Sequence, residues 1–265
     1  MKYLFILIMP LYFTNNVFGQ TVELSEIPVS TMKITILYDN YVYLEGTESD
    51  WGFSCLIETG GQQILFDTGT RPDVLYKNIG ISGVDVSTLD QIFISHNHHD
   101  HIGGLTKILD EKTDIPVHLP YFKDKELSNW VAAKGSKPIS DVKPYKVSDN
   151  VWSSGTMGDQ IPEQCIVVNH EKGLIVVVGC SHPGISYMLE KIRKDFGKDI
   201  YAVLGGFHLR QHSDKQIDSI IEEFNSMGVK KCGCTHCTGD KQIQLFRESY
   251  GDDFIEMGTG RKVIF

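Results

Sequence analysis

Four metal-ligating side chains fall within six consecutive positions, at His96, His98, Asp100 and His101. They follow Gln91-Ile92-Phe93-Ile94-Ser95, which reads as a buried strand, and precede Gly103-Gly104. Alternate residues at a strand end point the same way, so His96 and His98 can reach one ion together. Asp100 and His101 can then turn toward a second ion. Imidazole suits zinc, iron and several other first-row ions, and a carboxylate adds charge and tolerates a harder one. His99 should oppose His96 and His98 in direction and is read as a non-ligand. A solvated His-rich surface loop is the alternative, but so many ligating types in so short a stretch are unusual for one.

Other residues carry chemistry less specifically. Asp67, in Asp67-Thr68-Gly69, suits an outer role, orienting a ligating imidazole, or simply a turn. Asp39-Asn40 follow the first strand and could reach the same edge, though turn formation explains them equally. His208 stands behind Gly205-Gly206, which allow close backbone approach, and is a candidate acid or substrate contact. The run Cys232-Gly233-Cys234-Thr235-His236-Cys237 admits a small structural zinc knot. Against this, strand alternation puts Cys232, Cys234 and His236 on one face and Cys237 on the other, whereas a closed site needs four converging ligands.

These residues need rigid supports, and the pattern supplies them. KITILY, FSCLIE and QILF read as three consecutive strands, hence an antiparallel or mixed sheet rather than a pure βαβ wind. A helix opens near Pro72, with Val74, Leu75 and Ile79 on one face, and a short one follows Gly103-Gly104 through Leu105 and Ile108. Beyond lie a strand near Val117, a helix from about Phe122 to Ala133 and a loop-like stretch from Gly135 to Pro162. QCIVV and LIVVV are strands. The last third alternates: helix Ile185 to Phe196, strand YAVLG, helix Lys215 to Met227, strand VKKCGC, helix Lys241 to Tyr250 and strand KVIF. Such alternation places helices on sheet faces.

The segment SHNHHDHIGG resembles the H-x-H-x-D-H signature of the metallo-β-lactamase superfamily, and Asp67-Thr68-Gly69 resembles the D-T-G before it. Gly179-Cys180-Ser181-His182-Pro183-Gly184, Gly205-Gly206-Phe207-His208-Leu209 and Thr235-His236-Cys237-Thr238-Gly239 narrow the likeness. They resemble the subgroup named after dihydropterin ribofuranosyl-aminobenzene phosphate synthase. From Ile34 onward, this implies an αββα sandwich of two mixed sheets with helices on the outer faces. It also implies two divalent ions, zinc first, with iron or manganese as alternatives. His96, His98 and His182 would hold one; Asp100, His101 and His236 the other. Both His182 and His236 follow expected strands. Many hydrolases of the superfamily bridge their ions with an Asp, but here the corresponding stretches offer Glu163-Gln164 and Gly179-Cys180. Water, hydroxide or a Cys180 thiolate is left as the bridge.

Paired ions make hydroxide available near neutral pH and polarise the bond it attacks, with Asp100 orienting the nucleophile and taking its proton. A hydrolase of an ester, lactone, phosphodiester or related bond is therefore expected. The alternatives are the subgroup's transfer reaction, a di-iron redox protein and a non-catalytic binding protein. Di-iron proteins of this fold carry Glu where His98 stands and add a flavin domain; a binding protein that has lost catalysis would lack ligands.

With 34 acidic against 25 basic residues and no Lys/Arg cluster, neither nucleic acid nor an anionic membrane suits as partner. A small molecule does. Arg71, Arg210 and Lys241 near the motif loops could meet a phosphate. MKYLFILIMPLYFTNNVFGQ reads as a signal peptide over residues 1–19, ahead of a single domain at 20–265. Export to the periplasm or beyond is the expectation. The six cysteines are too scattered for a dense disulfide framework.

Overall fold

Strands β1 (Met32–Tyr38), β2 (Ser54–Thr59) and β3 (Gln62–Phe66) form an antiparallel meander. The computed structural model describes residues 21–24 and 27–265, so the segment 1–19 read as a signal peptide lies outside the described residues. Helix α1 (Pro72–Ser82) starts on Pro72, whose missing N–H costs nothing at a first turn, and ends at Gly83 in the left-handed region. Parallel strands β4 (Gln91–Phe93), β5 (Pro116–His118) and β6 (Lys137–Ile139) follow, connected through α2 (His99–Ile102), α3 (Leu105–Glu111) and α4 (Glu126–Ala133). The second sheet opens antiparallel with β7 (Tyr145–Ser148), β8 (Val151–Ser153), β9 (Ile166–His170) and β10 (Gly173–Val178). It then winds parallel through α5 (Ile185–Phe196), β11 (Ile200–Gly206), α6 (Asp214–Ser226) and β12 (Lys231–Thr235). After α7 (Asp240–Tyr250) the chain returns to the first sheet as β13 (Lys262–Ile264), antiparallel to β1.

The sheet orders are β13-β1-β2-β3-β4-β5-β6 and β12-β11-β10-β9-β8-β7, and both sheets are mixed, as expected. Their inner faces share one core. Ile34, Ile36, Ile57, Phe66 and Phe93 meet Ile166, Val168, Ile175, Val177 and Leu204, all fully buried. The outer faces are equally apolar. Leu174, Val176 and Val178 alternate with Ile175 and Val177 to pack under α5 and α6, while Leu56, Leu65, Ile92 and Val117 receive α1, α3 and α4. Burial on both faces explains why LIVVV is a continuous apolar run rather than an alternating one. Each such side chain contributes about 1.5–3 kcal/mol on leaving water. The result is a four-layer αββα sandwich.

Three elements differ from the sequence reading. The stretch 135–162 is not loop but contains β6, β7 and β8. These strands are three or four residues long, carry Pro138, and include the edge strand of each sheet, where hydrophobic alternation fades. Helix α4 begins four residues later than expected, at Glu126. The His-rich segment is not all loop, because one helical turn, α2, carries Asp100 and His101. Among the described residues, no helix is long and apolar enough to cross a membrane.

His118 closes β5 against both sheets. Its Nε2–H donates to Gln91 Oε1 at 2.6 Å, leaving Nδ1 to accept from the Tyr145 hydroxyl at 3.2 Å. Burial pulls its pKa down to about 4. The ring is neutral in the fold, so it contributes stability above its unfolded value of roughly 6.5 that is lost as pH falls toward 4. Up to about 3 kcal/mol of acid sensitivity should therefore vanish in His118→Phe. Urea unfolding of both proteins between pH 7 and 4 measures it; parallel profiles would show that this ring is not the titrating group.

Candidate metal centre

Asp67 leaves β3 with φ of 52°, a left-handed conformation that turns its carboxylate back under the end of β4. Its Oδ1 accepts from the Ser95 N–H and its Oδ2 from the Ser95 hydroxyl, both at 2.7 Å. The same Oδ2 lies 2.6 Å from His101 Nδ1, which donates to it. The Ser95 oxygen, its proton committed to Asp67, accepts from His96 Nδ1 at 2.9 Å. One buried carboxylate thus assigns two tautomers and leaves Nε2 of both His96 and His101 with free lone pairs, as ligation requires. Of the two readings left open for Asp67, an outer role and a turn, its contacts with Ser95 and His101 fit the outer role.

His96 Nε2 lies 3.2 Å from His98 Nδ1, and both rings pack near His182, with centroids 4.8 and 4.7 Å away. Donor atoms of His96, His98 and His182 lie within 4.8 Å of one another, and so do those of Asp100, His101, Cys180 and His236. His182 Nε2 and His236 Nε2 are buried with no hydrogen-bond partner. An orphaned buried nitrogen is costly unless something else takes its lone pair. His236 Nε2 lies 3.2 Å from Asp100 Oδ2, an ion-pair contact rather than a well-aligned hydrogen bond, so both atoms also face a shared point.

The titration behaviour agrees for His96 and His182, whereas for His101 the lowering by burial is outweighed by Asp67 and Asp100, which raise its pKa. Burial and the neighbouring imidazoles push the pKa of His96 well below its ordinary value and that of His182 down to about 3. Both are then neutral, the ligating form. Burial alone would raise the pKa of Asp100, but His236 and His101 outweigh it and hold the carboxyl well below the usual range. These donors fit two borderline divalent ions.

Several supports have roles that the sequence does not spell out. Glu163, fully buried, accepts from the backbone N–H of Cys180, Ser181 and His182 at 2.8–2.9 Å, fixing the turn that delivers His182. Burial lifts its pKa to about 7 despite those three donors. Glu163 therefore shapes the loop rather than bridging ions. Gln164 ties the sheets together, its N–H donating to Ser95 O and its Nε2 to Ile94 O. Asn40 Oδ1 accepts from His236 Nδ1 at 3.0 Å, so the edge position foreseen for Asp39-Asn40 holds. Trp51 covers His236 at 4.9 Å between centroids, with the Arg210 guanidinium over its outer face. His99 is exposed and outside both donor groups.

The cysteine-rich run departs from expectation. Strand alternation ends at Thr235, and His236, at φ of 54°, opens a 3₁₀ turn. Cys232 and Cys234 stay in the core under α7, while the turn swings Cys237 to the metal edge. Among the described residues no metal-type cluster includes Cys232 or Cys234, which removes the zinc-knot reading. All six cysteines are free. Cys180 Sγ lies 3.2 Å from His101 Nε2, within the second donor group, and burial pushes its thiol pKa well above the ordinary value.

Residues 52–179 match the metallo-β-lactamase superfamily. The chain is 30% identical to 7,8-dihydropterin-6-methyl-4-(β-D-ribofuranosyl)-aminobenzene-5'-phosphate synthase of Methanocaldococcus jannaschii, across 89% of this chain and 98% of that one. The chain belongs to the metallo-β-lactamase superfamily. Among solved structures of the superfamily, it is similar to the metal-dependent hydrolase Tm1679, with a TM-score of 0.72 and 29% identity over 88% of this chain and 98% of that one. The fold is shared with the metallo-β-lactamase fold protein YhfI of Bacillus subtilis, with a TM-score of 0.66 and 15% identity over 88% and 99%. This superfamily is one of enzymes, mostly metal-dependent hydrolases, and its members commonly bind divalent metals.

Proposed function

We propose that this protein is a binuclear metallo-hydrolase cleaving an ester, lactone, phosphodiester or related bond of a small molecule. The observation that carries it is the convergence of two donor groups, each with a buried nitrogen that makes no hydrogen bond, His182 Nε2 in one and His236 Nε2 in the other. His96, His98 and His182 would hold one ion and Asp100, His101 and His236 the other, with Cys180 beside the second. Zinc suits these donors best, and iron or manganese is the alternative. Bound there, the ions would supply Lewis acidity, acidifying a water and polarising the bond attacked.

Asp100, held ionised, orients the water and accepts its proton. His208 is exposed beside His182, with centroids 4.4 Å apart, and its contact with Cys237 raises its pKa, which suits an acid for the leaving group. The adjoining cleft of about 440 Å³ lies between α5 and α6, lined by Tyr187, His212, Gln216 and Ile220. Its size suits a small organic molecule. The acidic charge disfavours nucleic acid, and export remains part of this proposal.

The test is elemental analysis of the purified chain with a panel of chromogenic phosphodiester, ester, lactone and β-lactam substrates. About two ions per chain and chelator-sensitive turnover are expected. One ion or none, with no turnover, would overturn the reading. The synthase likeness supports a second reading, transfer from a dihydropterin to an aminobenzene ribofuranosyl phosphate; product formation from those two substrates would favour it.

A further inference from the structure

Beside the second donor group lies a further set of donors. We propose that Cys180, His208 and Cys237 form a third, thiolate-rich metal site that shares Cys180 with the second ion. The proposal rests on the binuclear reading through that shared residue and goes beyond it.

The two sulfurs and the His208 nitrogen lie within 4.8 Å of one another, and both cysteines are buried, at 3% and 6% exposure. Donors around one tetrahedral ion with bonds of about 2.0–2.3 Å stand roughly 3.5–4 Å apart, so small side-chain adjustments complete the set. The Cys237 thiol already faces the other two donors: its Sγ lies 3.6 Å from Cys180 O, and it contacts the His208 ring.

The backbone is bent to bring these three together. Ser181, which follows Cys180, has φ of 64°; His208 has 53°; His236, which precedes Cys237, has 54°. Left-handed conformations at residues other than glycine are strained and cluster where a chain aims side chains at a shared point. Gly206 completes the arrangement, since a Cβ there would stand 2.7 Å from Cys237 Sγ and 2.6 Å from Gly179 O. Any side chain at 206 would evict the thiol.

Two thiolates and an imidazole select a soft or borderline ion, such as Zn(II), Cd(II) or Cu(I), over Mn(II) or Mg(II). Exposed His208 leaves this site accessible from the cleft. An ion there occupies the His208 lone pair and so removes the acid that the hydrolytic reading employs. Soft ions beyond the second equivalent should therefore inhibit.

The experiment is titration of chelated, reduced protein with Cd(II), reading stoichiometry and thiolate-to-metal absorption. The wild type should take up about three ions per chain, and Cys237→Ser and His208→Ala about two, with Cys237→Ser losing part of the absorption. Cys232→Ser, altering a core cysteine away from the centre, should keep about three, and thermal melting checks that every variant folds. Two ions in both wild type and Cys237→Ser would overturn the third site and leave the binuclear reading standing. Fewer than two in the wild type would overturn both. A fall to one or none in folded Cys237→Ser would overturn the proposal by making Cys237 a support of the pair, and so would a Cys180–Cys237 disulfide in the fully loaded protein.

Discussion

Replacing Asp100 by Ala is expected to lower turnover by about 10³-fold or more, the range for loss of a positioned acid–base group. The second ion should leave with it. Asp100 is the only carboxylate in that donor group; the others are His101, Cys180 and His236. Its side chain is partly exposed at 19%, so no core cavity opens and the fold should survive. His96→Ala should empty the first group in the same way. Metal content, turnover and a thermal melt on each variant separate the outcomes. Full activity in both would sink the hydrolytic reading; lost stability with unchanged chemistry would assign the ions a structural role.

Gly103→Ala should cost about 3 kcal/mol of stability, a fall of roughly 6–12 °C in Tm for a chain of this size. The φ of Gly103, −60°, suits any residue, so the cost is not conformational. It is one of space. The Gly103 N–H donates to Gly69 O at 2.8 Å, which draws α2 so close that a new Cβ would fall on the Thr70 carbonyl. The same contact seats Asp100 and His101 over Asp67, so metal affinity should fall together with Tm. An unchanged Tm would mean that the 69–70 turn yields without penalty.

What the sequence disclosed follows from how local each signal is. His96, His98, Asp100 and His101 lie on one strand end and one helical turn, so spacing alone suggested two ions. Both sheets were legible because their central strands are buried on both faces and leave long apolar runs. His182 and His236 lie far along the chain, and only the resemblance attached them to the cluster. Glu163 and Asn40 lie in stretches that the sequence points to, but their roles are made by backbone and ring contacts that only folding creates, so the pattern does not state them. Alternation rightly separates Cys237 from Cys232 and Cys234, but it wrongly groups His236 with those two because it runs on past the end of β12. Strands β6 to β8 were missed because edge strands of three or four residues carry little periodicity.

Each donor group combines residues from both halves of the chain: His96 and His98 with His182, Asp100 and His101 with His236. No nascent fragment ending before His236 holds a complete second group, and none ending before His182 a complete first one. Loading of the proposed ions would therefore come late in the life of the molecule, after His236 has been added and the two halves have docked. A chain threaded unfolded across a membrane would take its ions from the compartment it enters, so the metal inventory of that destination, rather than of the cell interior, would decide which element it carries.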